Sequence, residues 1–205
     1  MSKNSNVITN PLSKNNPVIV QVLGICSALA VTAKLEPAIV MALSVTVVTA
    51  FSNLVISLLR NTIPSRVRII VQLVVVAALV SVVDLVLQAY MYPVSKQLSV
   101  FVGLIITNCI LMGRLEAFAL GNKPLPSFLD GIGNGLGYGL ILIIIGAVRE
   151  LLGSGTLLGF RVIPEVAYEY GYMNNGLMIL PPMALIVVAC IIWVHRSRNK
   201  DLQEK

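Results

Sequence analysis

Between residues 17 and 194 the chain reads as six apolar runs, about 17–33, 37–59, 67–92, 98–112, 131–152 and 177–194, each closed by charge, proline or glycine. Runs of this kind leave few folds open. Inside a bilayer no water reaches a backbone N–H or C=O, so a spanning segment must bond its own backbone, as a helix does. Of the 205 residues, 57% are apolar and 12% charged; a soluble domain is about half apolar and about a quarter charged. The expected fold is therefore an all-α integral membrane protein. Residues 1–16 form a polar N-terminal segment, 17–194 a single membrane domain, and 195–205 a charged tail. An enzyme with a large water-facing body is excluded. The net charge of +6 implies no nucleic acid, because Lys and Arg gather in the loops on one side of the spans. Three cysteines in a membrane chain of this length do not make a disulfide framework. Ala28-Leu29-Ala30 resembles a signal-peptidase site, but the preceding segment is weakly charged and five more spans follow, so cleavage is not expected. A bulky Ile25 before Cys26 likewise rules out a lipoprotein box.

Six crossings put both termini on the same side. That side would hold eleven Lys and Arg, among them Lys3, Lys14, Arg60, Arg66, Arg68, Arg114, Lys123 and the tail; the other holds four: Lys34, Lys96, Arg149 and Arg161. The bias places both termini in the cytoplasm of a bacterium, with the chain in its inner membrane. The runs also fall into two sets of three, about 17–92 and 98–194, each opening with a short stretch that carries a cysteine. Three crossings per unit is odd, so the second unit would lie inverted relative to the first. A basic-Leu-Glu triplet follows each cysteine, Lys34-Leu35-Glu36 and Arg114-Leu115-Glu116, with offsets that differ by three residues.

The stretch Leu98 to Met112 falls short of the roughly 20 residues that a crossing helix needs. Pro17 to Ala33 is similarly short, so the first helix of each unit is expected to be short or broken near the midplane. From Pro17 to Cys26 a helix rises about 14 Å, and from Leu98 to Cys109 about 16 Å. Half of an apolar core is about 15 Å. Cys26 and Cys109 would thus arrive at matching depths from opposite sides. Two readings compete: inert buried thiols, or ligands to a metal or iron–sulfur centre, for which a second chain must supply the remaining thiolates. Gly24, Ser27, Thr107 and Asn108 can loosen the helices or donate hydrogen bonds to sulfur, and half-helix N-termini can offset cluster charge. Cys190 has no counterpart in the other unit and reads as packing.

The run Asp130 to Gly139 alternates glycines without a preceding strand, so it is no nucleotide motif. On a helix, Gly131, Gly135 and Gly139 form one ridge of small residues suited to the close approach of another helix. Asp84 is an acid within the third run and a candidate for ion or proton handling; packing near an interface is the plainer account. Arg149 can pair with Glu150 or another acid. Trp193 and His195 suit an interfacial belt, and the 153–175 loop with Tyr168, Tyr170 and Tyr172 suits partner contact. No catalytic triad, paired acids, phosphate loop or zinc spacing is present.

Five stretches carry a resemblance: VQVLGICSALAVT at 20–32, SKQLSVFVGLIITNCI at 95–110, GRLEAFA at 113–119, DGIGNGLGYG at 130–139 and RELLGSG at 149–155. They resemble the D- and E-type membrane subunits of the Na⁺-translocating NADH:quinone oxidoreductase, a family that includes related Rnf-complex subunits. The likeness runs from about residue 15 to 195 and is closer to the D type than to its Rnf counterpart. Leu115 stands where a smaller residue is expected. The resemblance implies a translocase component in an assembly of six subunits, with six helices in two inverted halves and no active site of its own. It further implies a 2Fe–2S cluster shared with the E-type subunit, with Cys26 and Cys109 as this chain's iron ligands. The cluster would relay electrons from the F-type subunit, which oxidises NADH, to the FMN of the C-type subunit. The A- and B-type subunits complete the set of partners, and NAD, FAD, FMN and riboflavin belong to other subunits. The alternatives are an Rnf homologue, or an ion transporter built on the repeat core and Asp84.

Overall fold

The computed structural model describes residues 16–64, 66–90, 103–158, 160–161 and 176–198. Six helices among the described residues are numbered in chain order: α1 Ile25–Val31, α2 Leu35–Leu59, α3 Arg68–Tyr90, α4 Cys109–Arg114, α5 Pro124–Ser154 and α6 Pro181–Arg198. A π-helical turn, Leu115–Ala119, continues α4, and a 3₁₀ turn, Gly176–Ile179, leads into α6. A two-residue hairpin pairs Thr156–Leu157 with Phe160–Arg161 after α5. Among the described residues three helices are long and apolar enough to cross a membrane: α2, the Arg68–Ala89 part of α3, and α5. Tyr168, Tyr170 and Tyr172 lie outside the described residues, as does the start of the 98–112 run.

The frame is the pair α2 and α5. Glycines on α5 meet small residues on α2 so closely that a methyl group at Gly131 would lie 2.7 Å from the Ala50 Cα, and one at Gly135 would lie 2.6 Å from the Thr46 Cα. Gly139 faces Ala42, and Gly146 faces Leu35 and Ala38. As residue numbers rise on α5 they fall on α2, so the two helices run antiparallel. Both ridges repeat every four residues, which keeps them on one helix face. The sequence showed the glycine ridge; its partner, Ala38, Ala42, Thr46 and Ala50, was hidden in a helix that is apolar all round. In lipid there is little hydrophobic drive between helices, so close backbone contact through small residues supplies the adhesion.

Polar side chains finish the joints. Asn53 Nδ2 donates to the Ser127 carbonyl at 3.1 Å, and the Ser57 hydroxyl to the Asn122 carbonyl at 2.7 Å. Arg114 grips Asp130 through two hydrogen bonds, the Nε one at 2.9 Å, and lies over the Phe118 ring. Leu115, the expected misfit, is fully buried in the core.

Several expectations need correction. The 98–112 run does not end as a half-helix: a helical turn at 103–106 breaks at Thr107 and Asn108, and helix resumes from Cys109 through Ala119. The two basic-Leu-Glu triplets are not equivalent, since Lys34-Leu35-Glu36 opens α2 whereas Arg114-Leu115-Glu116 closes α4 and starts the π turn. Arg149 does not pair with Glu150, because adjacent residues on a helix point in different directions. Its guanidinium is fully buried and donates to Thr32 Oγ1 at 2.6 Å and to the carbonyls of Met178, Ile179 and Leu180. Glu150 instead accepts the Leu35 N–H at 2.7 Å, capping the first turn of α2 where a negative charge is favoured.

Outside the long spans, Gln72 and Arg68 donate to Glu116 at 3.0 and 2.6 Å and hold its carboxyl below the usual range. A lowered folded value means the stabilisation is present at neutral pH and is lost as pH falls through that value. Replacing Glu116 by Gln should flatten the acid side of a Tm-against-pH curve. Gly135→Ala should lower stability by about 1–3 kcal/mol or more, as overpacking against backbone does. Gly176→Ala, with open space around it, should leave the melting temperature unchanged.

Candidate functional site

Each cysteine stands at the start of a helix that begins anew after a break. Before Cys26 the chain runs through a turn at 17–20 and non-helical residues to Gly24, which takes φ 77° and ψ 15° as the N-cap of α1. That left-handed conformation is open to glycine at little cost. Val22, two residues earlier, also has a positive φ of 57°. For a β-branched residue this is strained and persists only where surrounding contacts hold it. Before Cys109 the break is made by Asn108, extended at ψ 123°, whose side-chain oxygen accepts the Ile110 N–H at 3.2 Å. Asparagine is a strong N-cap because its short side chain satisfies one of the free N–H groups of the first turn. One break is therefore made by a glycine and the other by a cap.

The two breaks touch. A methyl group at Gly24 would lie 2.5 Å from Ile110 Cδ1 and 3.2 Å from Tyr138 Cε2. Ser27 Oγ receives hydrogen bonds from Tyr138 Oη at 2.6 Å and Asn108 Nδ2 at 3.4 Å, and donates to the Gly24 carbonyl at 2.9 Å. Ser27, Asn108 and Tyr138 are all buried. Asn16 joins from the other end of the first break, its Nδ2 donating to the Gly137 carbonyl at 3.1 Å while its Oδ1 caps Val18 and Ile19. The sequence pointed to Ser27 and Asn108 as neighbours of the cysteines, for hydrogen bonds to sulfur; their side chains turn to each other instead. Tyr138 was missed. It sits inside the glycine ridge, and only the fold brings it to a serine 111 residues away.

Cys26 and Cys109 point the other way. Both are exposed while Gly24, Ser27, Asn108 and Ile110 around them are buried. Two soft sulfur donors thus stand outward on two joined turns. Among the described residues no group of three or more His, Cys, Asp or Glu side chains is placed to hold a metal. An iron–sulfur centre takes four such donors. The thiols fit one half of that set, and a second chain must bring the rest. Cys190 lies apart, on α6. Asp84 lies on α3, where its Oδ2 accepts from Gln88 Nε2 at 2.9 Å and its Oδ1 has no hydrogen-bond partner.

A family model described as "Rnf-Nqr subunit, membrane protein" matches residues 4–192. The chain belongs to the Rnf-Nqr family. This member is also 59% identical to the D-type subunit of the Na(+)-translocating NADH-quinone reductase of Shewanella sp. strain W3-18-1, over 97% of its own length and 94% of the relative's. It is 60% identical, with the same coverage, to the D-type subunits of Shewanella oneidensis and Shewanella baltica.

The junction's geometry ranks its own variants. Ser27→Ala strands two buried donors, from Tyr138 and Asn108, each costing about 1–3 kcal/mol. Tyr138→Phe removes one hydrogen bond and leaves Ser27 with its others, a loss of about 1 kcal/mol. Thermal unfolding of the two should place Ser27→Ala lower.

Proposed function

We propose that this family member serves as the D-type subunit of a Na⁺-translocating NADH-quinone reductase, a multi-pass membrane component of the translocase with no active site of its own. In this reading Cys26 and Cys109 supply two thiolates to a 2Fe–2S cluster, and the E-type subunit supplies the other two. The observation that carries it is the junction: two cysteines, each opening a helix after a break, face outward from turns that are bonded to each other through Ser27, Asn108 and Tyr138. When bound there, the cluster would offer a one-electron relay in the membrane between the F-type subunit and the FMN of the C-type subunit.

The chain's own residues do the positioning. Gly24 lets the first turn approach Ile110 at backbone distance, and Asn108 fixes the start of α4. Ser27 ties the two starts together, so the separation of the thiols is set by a buried network and not by two free loops. Because the sulfurs are exposed, a partner is needed both to complete the donor set and to exclude water.

The same reading takes the chain as two inverted three-helix units, about 17–92 and 98–194, with both termini in the cytoplasm of a bacterial inner membrane. Support comes from the break before each cysteine and from the antiparallel pairing of α2 with α5, the helix that follows each cysteine-bearing segment. The A-, B-, C- and F-type subunits complete the assembly.

In the co-purified D–E pair, Cys26→Ala or Cys109→Ala should abolish the iron–sulfur EPR signal and lower iron content, and quinone reduction by the complex should fall with them. Cys190→Ala should change neither. Unaltered iron in both of the first two variants would overturn the assignment.

A further inference from the structure

The described surface holds two sizeable grooves, and they differ in one respect. The first, of about 490 Å³, lies on the α2–α5 pair and is lined almost wholly by apolar side chains such as Ile39, Leu43, Leu140 and Ile143. Nothing in it selects an occupant. The second, of about 560 Å³, lies between α5 and α6 and is graded along its length. Ile141, Ile144, Ile191 and Val194 form an apolar wall, and Asn16, His195 and Arg198 stand at the groove's polar end. Among the described residues no carboxylate lines it.

We propose that this second groove binds one anionic phospholipid, with an acyl chain along the isoleucine wall and the headgroup phosphate at the Arg198 end. Three observations combine. The volume lies within the range of about 300–1,000 Å³ common to small-molecule sites. The basic end coincides with the last turn of α6, which carries His195, Arg196 and Arg198 next to a largely exposed Trp193. An exposed indole followed by basic residues marks the level where a helix leaves hydrocarbon for headgroups. Basic pockets between membrane helices at that level bind acidic headgroups, and a guanidinium suits a phosphate because its planar donors can engage two oxygens at once. The wall below is the aliphatic surface that a chain attached to such a headgroup would meet. A neighbouring protein helix would fill the wall equally well, but it would need an acidic group at the Arg198 end.

The test uses the whole complex, purified in detergent, stripped of lipid, and titrated with phosphatidylglycerol or with phosphatidylcholine of the same chains. Phosphatidylglycerol should raise the unfolding temperature and phosphatidylcholine should not. Arg198→Gln, on an exposed last turn, should raise the half-saturating phosphatidylglycerol concentration at least tenfold. Ile144→Trp, which fills the wall and leaves the charge, should remove the response. Native mass spectrometry of the wild type should show one retained anionic lipid on this chain when it is released from the complex. Equal responses to the two lipids, wild-type responses in both variants, or a neighbouring protein's side chains seated in the groove in a structure of the complex would each overturn the proposal.

Discussion

Backbone contact between α2 and α5 is the constraint on which everything else rests. Where Gly135 meets Thr46 and Gly131 meets Ala50 there is no side chain to yield, so the distance between these helices is fixed by main-chain atoms. The segments bearing the cysteines connect directly to them, α1 into α2 and the π-turn end of α4 into α5. Fixing the long pair therefore fixes where the two broken segments begin and end. Tyr138 acts within this frame because it projects from the same glycine-rich helix and reaches Ser27 from a rigid base.

The junction then converts a packing constraint into a chemical one. Hydrogen bonds in a dry interior are costly to leave unmade, and Ser27 satisfies two donors and one acceptor at once. Its position beside Cys26, and that of Asn108 beside Cys109, mean that the residues holding the turns together precede or follow the sulfurs by one position. Burying one set necessarily turns the other outward. The exposure of the thiols is thus part of the way the turns are locked, and it is what makes a two-chain centre chemically sensible.

Much of this was legible in the sequence, for physical reasons. Apolar runs bounded by charge mark helices in lipid, and glycines every four residues mark a close-packing face. The shortness of two runs marked the cysteine segments as irregular, and Gly24 stood where one break occurs. What could not be read depended on pairing across the fold. Periodicity fails on α2, whose faces are all apolar, so the small residues opposite the glycines gave no signal. The break before Cys109 rests on the conformation of a single asparagine, and Asn108 stands amid helix-compatible residues. Arg149 misled because the nearest acid along the chain, Glu150, is not its neighbour in space.

Arg149 also bears on how such a chain is assembled. Its acceptors lie at the end of α1 and in the turn before α6, two pieces of chain that α5 itself cannot provide. A guanidinium bared to lipid is costly, so the C-terminal end of α5 cannot settle until both of those pieces have arrived. The last helix therefore does more than add one more crossing: its approach supplies the carbonyls that let the arginine leave water. Closure of this end is a late and cooperative event in folding, and the first half of the chain waits on the second.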